Sequence, residues 1–228
     1  MTTTVPVSTR AQTASFQQIA GIAGLLTIVV GITQLVAVGN TPGLGDSAAK
    51  VAAYFADNSA AHRYGVAVSA LLGIPIAIFF IGVYRTLADA DRAHDASWAT
   101  LFLYGTIMMS STAGLGEGLY AIPVLRNGEG LTPDMLRAIN DGSAIAHASL
   151  GVWIAVALGG VAAATFQYGI RARWYGWLCT IGALLGVLAV IDSVSAGPNG
   201  AFADLAFFFV IVWTLATSIL MLRDRVRQ

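Results

Sequence analysis

Apolar residues along the chain fall in six long runs separated by short polar stretches: Ile19 to Val38, Tyr64 to Tyr84, Trp98 to Ile122, Ala144 to Ala164, Trp174 to Ile191 and Leu205 to Leu222. None shows the strict alternation of a half-buried strand. Each is close to the ~20 residues that a helix rising ~1.5 Å per residue needs to cross ~30 Å of hydrocarbon. Unsatisfied backbone groups are too costly in lipid for open strands, so runs of this kind predict helices. Five of the six contain no Asp, Glu, Lys or Arg, and the third holds one acid, Glu117, near its end.

The polar stretches predict two further, shorter helices. Ser47 can cap a run from Ala48 to Ala56, and Thr132, Pro133 and Asp134 read as cap, first-turn proline and first-turn acid of a helix through Ile139. Both are expected on the outer surface of the bilayer. The expected fold is therefore all-α: a polytopic bundle of six transmembrane helices with two short outer-surface helices. Residues 1–18 form a polar leader expected to be flexible, residues 19–222 the membrane domain and residues 223–228 a basic tail. Pro75 inside the second run predicts a kink, because proline removes a backbone donor and clashes with the preceding turn.

Composition supports lipid as the solvent. Of the 228 residues, 57% are hydrophobic and 11% charged, and the mean hydropathy is +0.73; a water-facing domain carries roughly 25% charged residues. The net charge of zero provides no field to gather nucleic acid. A single cysteine, Cys179, excludes an internal disulfide and any cysteine-only metal site. With the N-terminus inside, eight basic residues (Arg10, Arg85, Arg92, Arg171, Arg173, Arg223, Arg225, Arg227) fall on the cytoplasmic side and four (Lys50, Arg63, Arg126, Arg137) outside. That asymmetry predicts a plasma-membrane protein with both termini in the cytoplasm.

Ionisable groups gather at one depth. Counted from their helix borders, Glu117, His147, Asp192 and Asp204 all fall near the outer face, with His62 close by. Such groups in a membrane tend to face the bundle interior and to have a partner. The five are the candidate ligand-binding residues. Two carboxylates and a histidine could also hold a divalent metal or perform acid and base catalysis, yet no HExxH or other fixed metal spacing is present, so neither a metal nor a cofactor is assigned. Similar text precedes His62 and His147, as a repeated helical hairpin would produce. Glycines such as Gly114 and Gly118 mark faces for close helix contact, within the bundle or with a second copy of the chain.

The order of several motifs resembles a bacterial family of multi-pass membrane proteins of unknown function, common in actinobacteria. The motifs are Val51-Ala52-Ala53-Tyr54-Phe55-Ala56-Asp57-Asn58, His62-Arg63-Tyr64-Gly65, Phe80-Ile81-Gly82-Val83-Tyr84-Arg85-Thr86-Leu87, Ala172-Arg173-Trp174-Tyr175-Gly176-Trp177-Leu178 and Ile191-Asp192-Ser193. The resemblance implies a topology and no activity. The reading that follows is a non-enzymatic membrane protein that binds a lipid or small apolar ligand or serves as a partner subunit. A membrane-embedded hydrolase or metal enzyme using the outer Glu, His and Asp residues is the alternative, and a small transporter the second alternative.

Overall fold

The computed structural model describes residues 8–57, 59–94, 96–195 and 201–223. Among them the chain is all-helical, with eight helices and no strand: α1 (Ser8–Val38), α2 (Ala48–Ala56), α3 (Ser59–His94), α4 (Trp98–Arg126), α5 (Pro133–Ala148), α6 (Leu150–Tyr168), α7 (Arg173–Ser195) and α8 (Ala201–Arg223). Five helical rods, with α5 and α6 taken as one, are long and apolar enough to cross a membrane. The expected third span, α4, is 29 residues long but is not among them. Ser110, Ser111 and Thr112 together with Gly105, Gly114, Gly116, Gly118 and Glu117 dilute its apolar character.

Neighbouring helices close a ring: α1 packs against α3, α3 against α4, α4 against α6, α6 against α7, α7 against α8, and α8 returns to α1. Close backbone approach makes this ring. Gly151 on α6 and Gly186 on α7 each place a carbonyl where the other's Cβ would stand, so only glycine fits at either position. At the end of the ring that carries the start of α1 and the end of α8, the interior is filled. Phe79, Phe102, Leu87, Val161, Cys179 and Trp213 are almost wholly buried there. Tyr175 donates to Thr217 Oγ1 at 2.9 Å and Thr217 donates on to the Trp213 carbonyl at 2.7 Å, so these hydroxyls are satisfied within the core.

Several boundaries differ from the sequence expectation, each for a visible reason. The stretch Ser8 to Gln18 belongs to α1. It is tied down by Gln17, whose Nε2 donates to Gly82 O at 3.1 Å and to Thr86 Oγ1 at 3.0 Å. Residues 1–7 and the tail beyond Arg223 lie outside the described residues. α3 runs through Pro75 as one helix of 36 residues. The helix capped by Thr132 does not stop at Ile139 but continues to Ala148. Asn140 and Ser143 look like loop formers, but their side chains are spent on distant partners. Asn140 Nδ2 donates to Pro42 O at 3.1 Å and Ser143 Oγ to Gly116 O at 2.9 Å, which leaves their own backbone free to remain helical. Ser149 interrupts the rod for one residue before α6 begins.

The caps expected at Ser47 and Thr132 are present: Ser47 accepts from Lys50 N and Thr132 from Met135 N, both at 3.3 Å. At the start of α4, Ser97 makes no side-chain cap. Asp91, 6% exposed at the end of α3, does this instead, accepting from Ala99 N at 2.6 Å.

Candidate functional site

The opposite end of the ring, which carries α2, holds two polar clusters one helical turn apart on α4. The deeper one is built around Glu117. His147 reaches it from α5, with Nε2 at 3.5 Å from Glu117 Oε1. Gln34 on α1 donates to Ser69 Oγ on α3, and both reach the Glu117 carboxylate. Four helices therefore converge on one acid. The Glu117 and His147 side chains keep 35% and 40% of their surface uncovered by protein, so the pair is reachable.

His147 is held in one orientation. Its Nδ1 lies 2.9 Å from Ser143 O, and a carbonyl only accepts, so Nδ1 carries a hydrogen and Nε2 is the nitrogen turned to Glu117. Gly116 makes room for the ring, since a Cβ there would stand 2.6 Å from His147 Cε1. Open space adjoins α1 and α3 one turn from Gln34 and Ser69. Gly31, one turn below Gln34, and Gly73, one turn below Ser69, would each carry a Cβ with no atom within 4 Å. Closer to the termini, Gly21 and Gly24 are instead filled by Leu222, Ser218 and Phe79.

The second cluster lies over the first and is closed. Tyr120 OH is 2.7 Å from His62 Nδ1, His62 Nε2 is 3.0 Å from Tyr54 O, and Tyr54 OH is 3.1 Å from Tyr120 OH and 3.3 Å from Val38 O. The Tyr54 carbonyl can only accept, so His62 Nε2 donates to it, while the Tyr54 hydroxyl, with its single hydrogen, donates to Val38 O. Every polar atom in this loop of bonds has a partner. Val51, Phe55, Val124 and Leu136 enclose it, and burial pushes the Tyr54 phenol above its ordinary range. His62, 3% exposed, thus fastens α2 onto α3 and α4.

Of the five candidate residues, the structure brings Glu117 and His147 together and sets His62 in the neighbouring cluster. Asp192 accepts from Phe202 N at 3.1 Å and holds the start of α8; Asp204 is exposed in the first turn of α8. Among the described residues no three of His, Cys, Asp and Glu stand close enough to hold a metal ion. The partners that sequence reasoning missed are Gln34, Ser69 and Ser143. Gln34 carried a signal, as a large amide inside an apolar run, whereas a serine in a membrane helix carries none because it can bond to its own backbone.

On the face of α4 and α5 away from these clusters, Thr112, Leu115, Ile145, Ser149, Val152 and Trp153 line a shallow, mainly apolar groove of about 450 Å³. Gly114 and Gly118 also face outward from α4, with no atom within 4 Å of a Cβ at either. No protein-family model matches the chain, and no curated protein and no solved structure matches it.

Proposed function

We propose that the chain is a plasma-membrane protein of six spans with both termini in the cytoplasm, and that Glu117 and His147 form the polar end of a binding site for a lipid or small apolar ligand in the outer half of the bilayer. The observation that carries this reading is the convergence of Gln34, Ser69, Glu117 and His147 from four helices beside the open space at Gly31 and Gly73. An ionisable group at membrane depth is costly, and a carboxylate with neutral donors on one side and space on the other is suited to a ligand's polar head. The closed ring supports counting α4 as the sixth span: it occupies one of the six places, and its 29 residues extend about 44 Å at ~1.5 Å per residue. In this topology α2 and the start of α5 lie at the outer surface.

The alternative of a metal enzyme has no comparable support, because Asp192 and Asp204 serve the start of α8 and no third ligand joins Glu117 and His147 among the described residues. A transporter would need a path through the end filled by Phe79, Phe102 and Trp213. The outward glycines Gly114 and Gly118 are the proposed face for a second copy, and the likeness to the actinobacterial-type membrane family belongs to the same proposal.

The experiment is native mass spectrometry of the protein extracted with its surrounding bilayer, comparing wild type with Gly31→Leu and Gly73→Leu. Wild type is expected to carry a defined lipid or small apolar molecule that both variants lose while remaining folded. An identical set of bound molecules in all three proteins would overturn the reading.

A further inference from the structure

The charge balance of the Glu117 cluster points to a ligand class. His147 Nδ1–H is committed to Ser143 O at 2.9 Å, so in neutral His147 the Nε2 lone pair faces Glu117 Oε1 at 3.5 Å. Two lone pairs at that distance repel unless a proton lies between them. The other groups at the carboxylate, Ser69 and Gln34, are neutral. The titratable groups beyond it are Tyr120, one turn along α4, with Tyr54 and His62 behind it, and these are bonded to one another. The described basic side chain on the neighbouring part of α3, Arg63, is turned away to Asn127 Oδ1 at 2.7 Å. The cluster therefore has one negative charge to offset in a low-dielectric setting, and a proton shared between Glu117 and His147 offsets it.

We infer that this site takes a lipophilic amine, whose ammonium group replaces the shared proton at Glu117 while its apolar chain occupies the space beside Gly31 and Gly73. In the exchange the ammonium N–H groups bond to the carboxylate, the proton leaves to water, and His147 is left neutral. The cluster stays neutral in total before and after, which is the condition for placing a charge in hydrocarbon at tolerable cost. An anionic head would have to bring a second proton with it, and a neutral alcohol would leave the proton in place. The inference rests on the binding-site reading above, and its test separates the two.

Dodecylamine and dodecanol would be titrated into the full-length protein in phosphatidylcholine nanodiscs, against empty nanodiscs, by calorimetry in two buffers of different ionisation heat. The amine is expected to bind with release of a single proton. Its apparent affinity should then rise about tenfold per pH unit over the range in which the pair holds its proton and the amine is charged. Dodecanol should bind with no proton exchanged. Glu117→Gln, which keeps the shape beside Ser69 and Gln34, should weaken the amine by on the order of tenfold or more, the usual scale for a lost bond to a charged group, and should weaken the alcohol less than the amine. Equal affinities for amine and alcohol, or amine binding without proton release, would overturn this inference and leave the binding site standing. Failure of both probes to bind, or binding unaffected by Gly31→Leu and Gly73→Leu, would overturn the binding site itself.

Discussion

Glu117 and Tyr120 stand one helical turn apart on α4 and reach different histidines: Glu117 meets His147 from α5 at 3.5 Å, and Tyr120 meets His62 from α3 at 2.7 Å. The two arrangements differ in completeness. Around Tyr120 every donor has an acceptor inside a closed apolar shell, while around Glu117 the bonds stop at partly uncovered side chains. The first has the marks of a fastening and the second of a site.

Removing the Tyr120 hydroxyl should therefore act on stability. Tyr120→Phe leaves both His62 Nδ1 and Tyr54 OH without the partner each has in a buried place, a loss of about 1–3 kcal/mol. Tyr54→Phe should cost less, since Tyr120 keeps its bond to His62. Thermal unfolding of the two variants in matched nanodiscs measures the order.

Gly116→Ala tests the packing behind His147. The added methyl would stand 2.6 Å from the imidazole, and the ring cannot yield without giving up Ser143 O. The expected outcome is a loss of about 1–3 kcal/mol, as for an overpacked core, with the His147 ring nitrogen resonances moving in NMR. Gly114→Ala, two residues away but outward, should change neither in a monomeric preparation.

Asp91→Ala should weaken the start of α4. Asp91 accepts from Ala99 N at 2.6 Å while Ser97 contributes no cap, so the substitution should cost about 0.5–2 kcal/mol. Ser97→Ala should be close to neutral. Equal effects of the two in thermal unfolding would refute this assignment.

Acid should loosen the loop before α2. The Lys50 ammonium at 2.7 Å, followed by the Gly43 N–H at 2.9 Å, holds the Asp46 carboxyl below its ordinary range. Because its folded value lies below its unfolded one, its contribution is complete above the usual carboxylate range near pH ~4 and is lost as pH falls through the depressed value. The protection factor of the Gly43 amide against hydrogen exchange should fall over that interval, and Asp46→Asn should show the lower protection at neutral pH as well.

The helices were legible because their signals are local. Long apolar runs, the Ser47 and Thr132 caps and the proline at the start of α5 each act within a few residues. What was not legible depends on contacts between distant residues. Asn140 and Ser143 read as a loop because serine and asparagine compete with helix in isolation, and only Pro42 O and Gly116 O, both remote in sequence, remove that competition. The candidate site was half visible for the same reason. Depth counting placed Glu117, His147, Asp192 and Asp204 at one level, but level is not position around the ring, and only the first two share a side of it. α4 shows the reverse: its length and near lack of charge made it look like the other runs, yet its glycines and hydroxyls lower its apolar character.

The mutual glycine contact of α6 and α7 bears on which parts of the ring can move. With the Gly151 and Gly186 carbonyls each seated in the other's side-chain place, neither helix can slide or roll without collision, so these two behave as a single stator. α1 and α8 are pinned at Gly21 and Gly24, toward the termini, while at the other end Phe202, Leu205, Phe207 and Phe208 of α8 are all at least 40% exposed. The ring therefore has a fixed wall at α6 and α7, while α1 and α8 are held together most closely near Gly21 and Gly24.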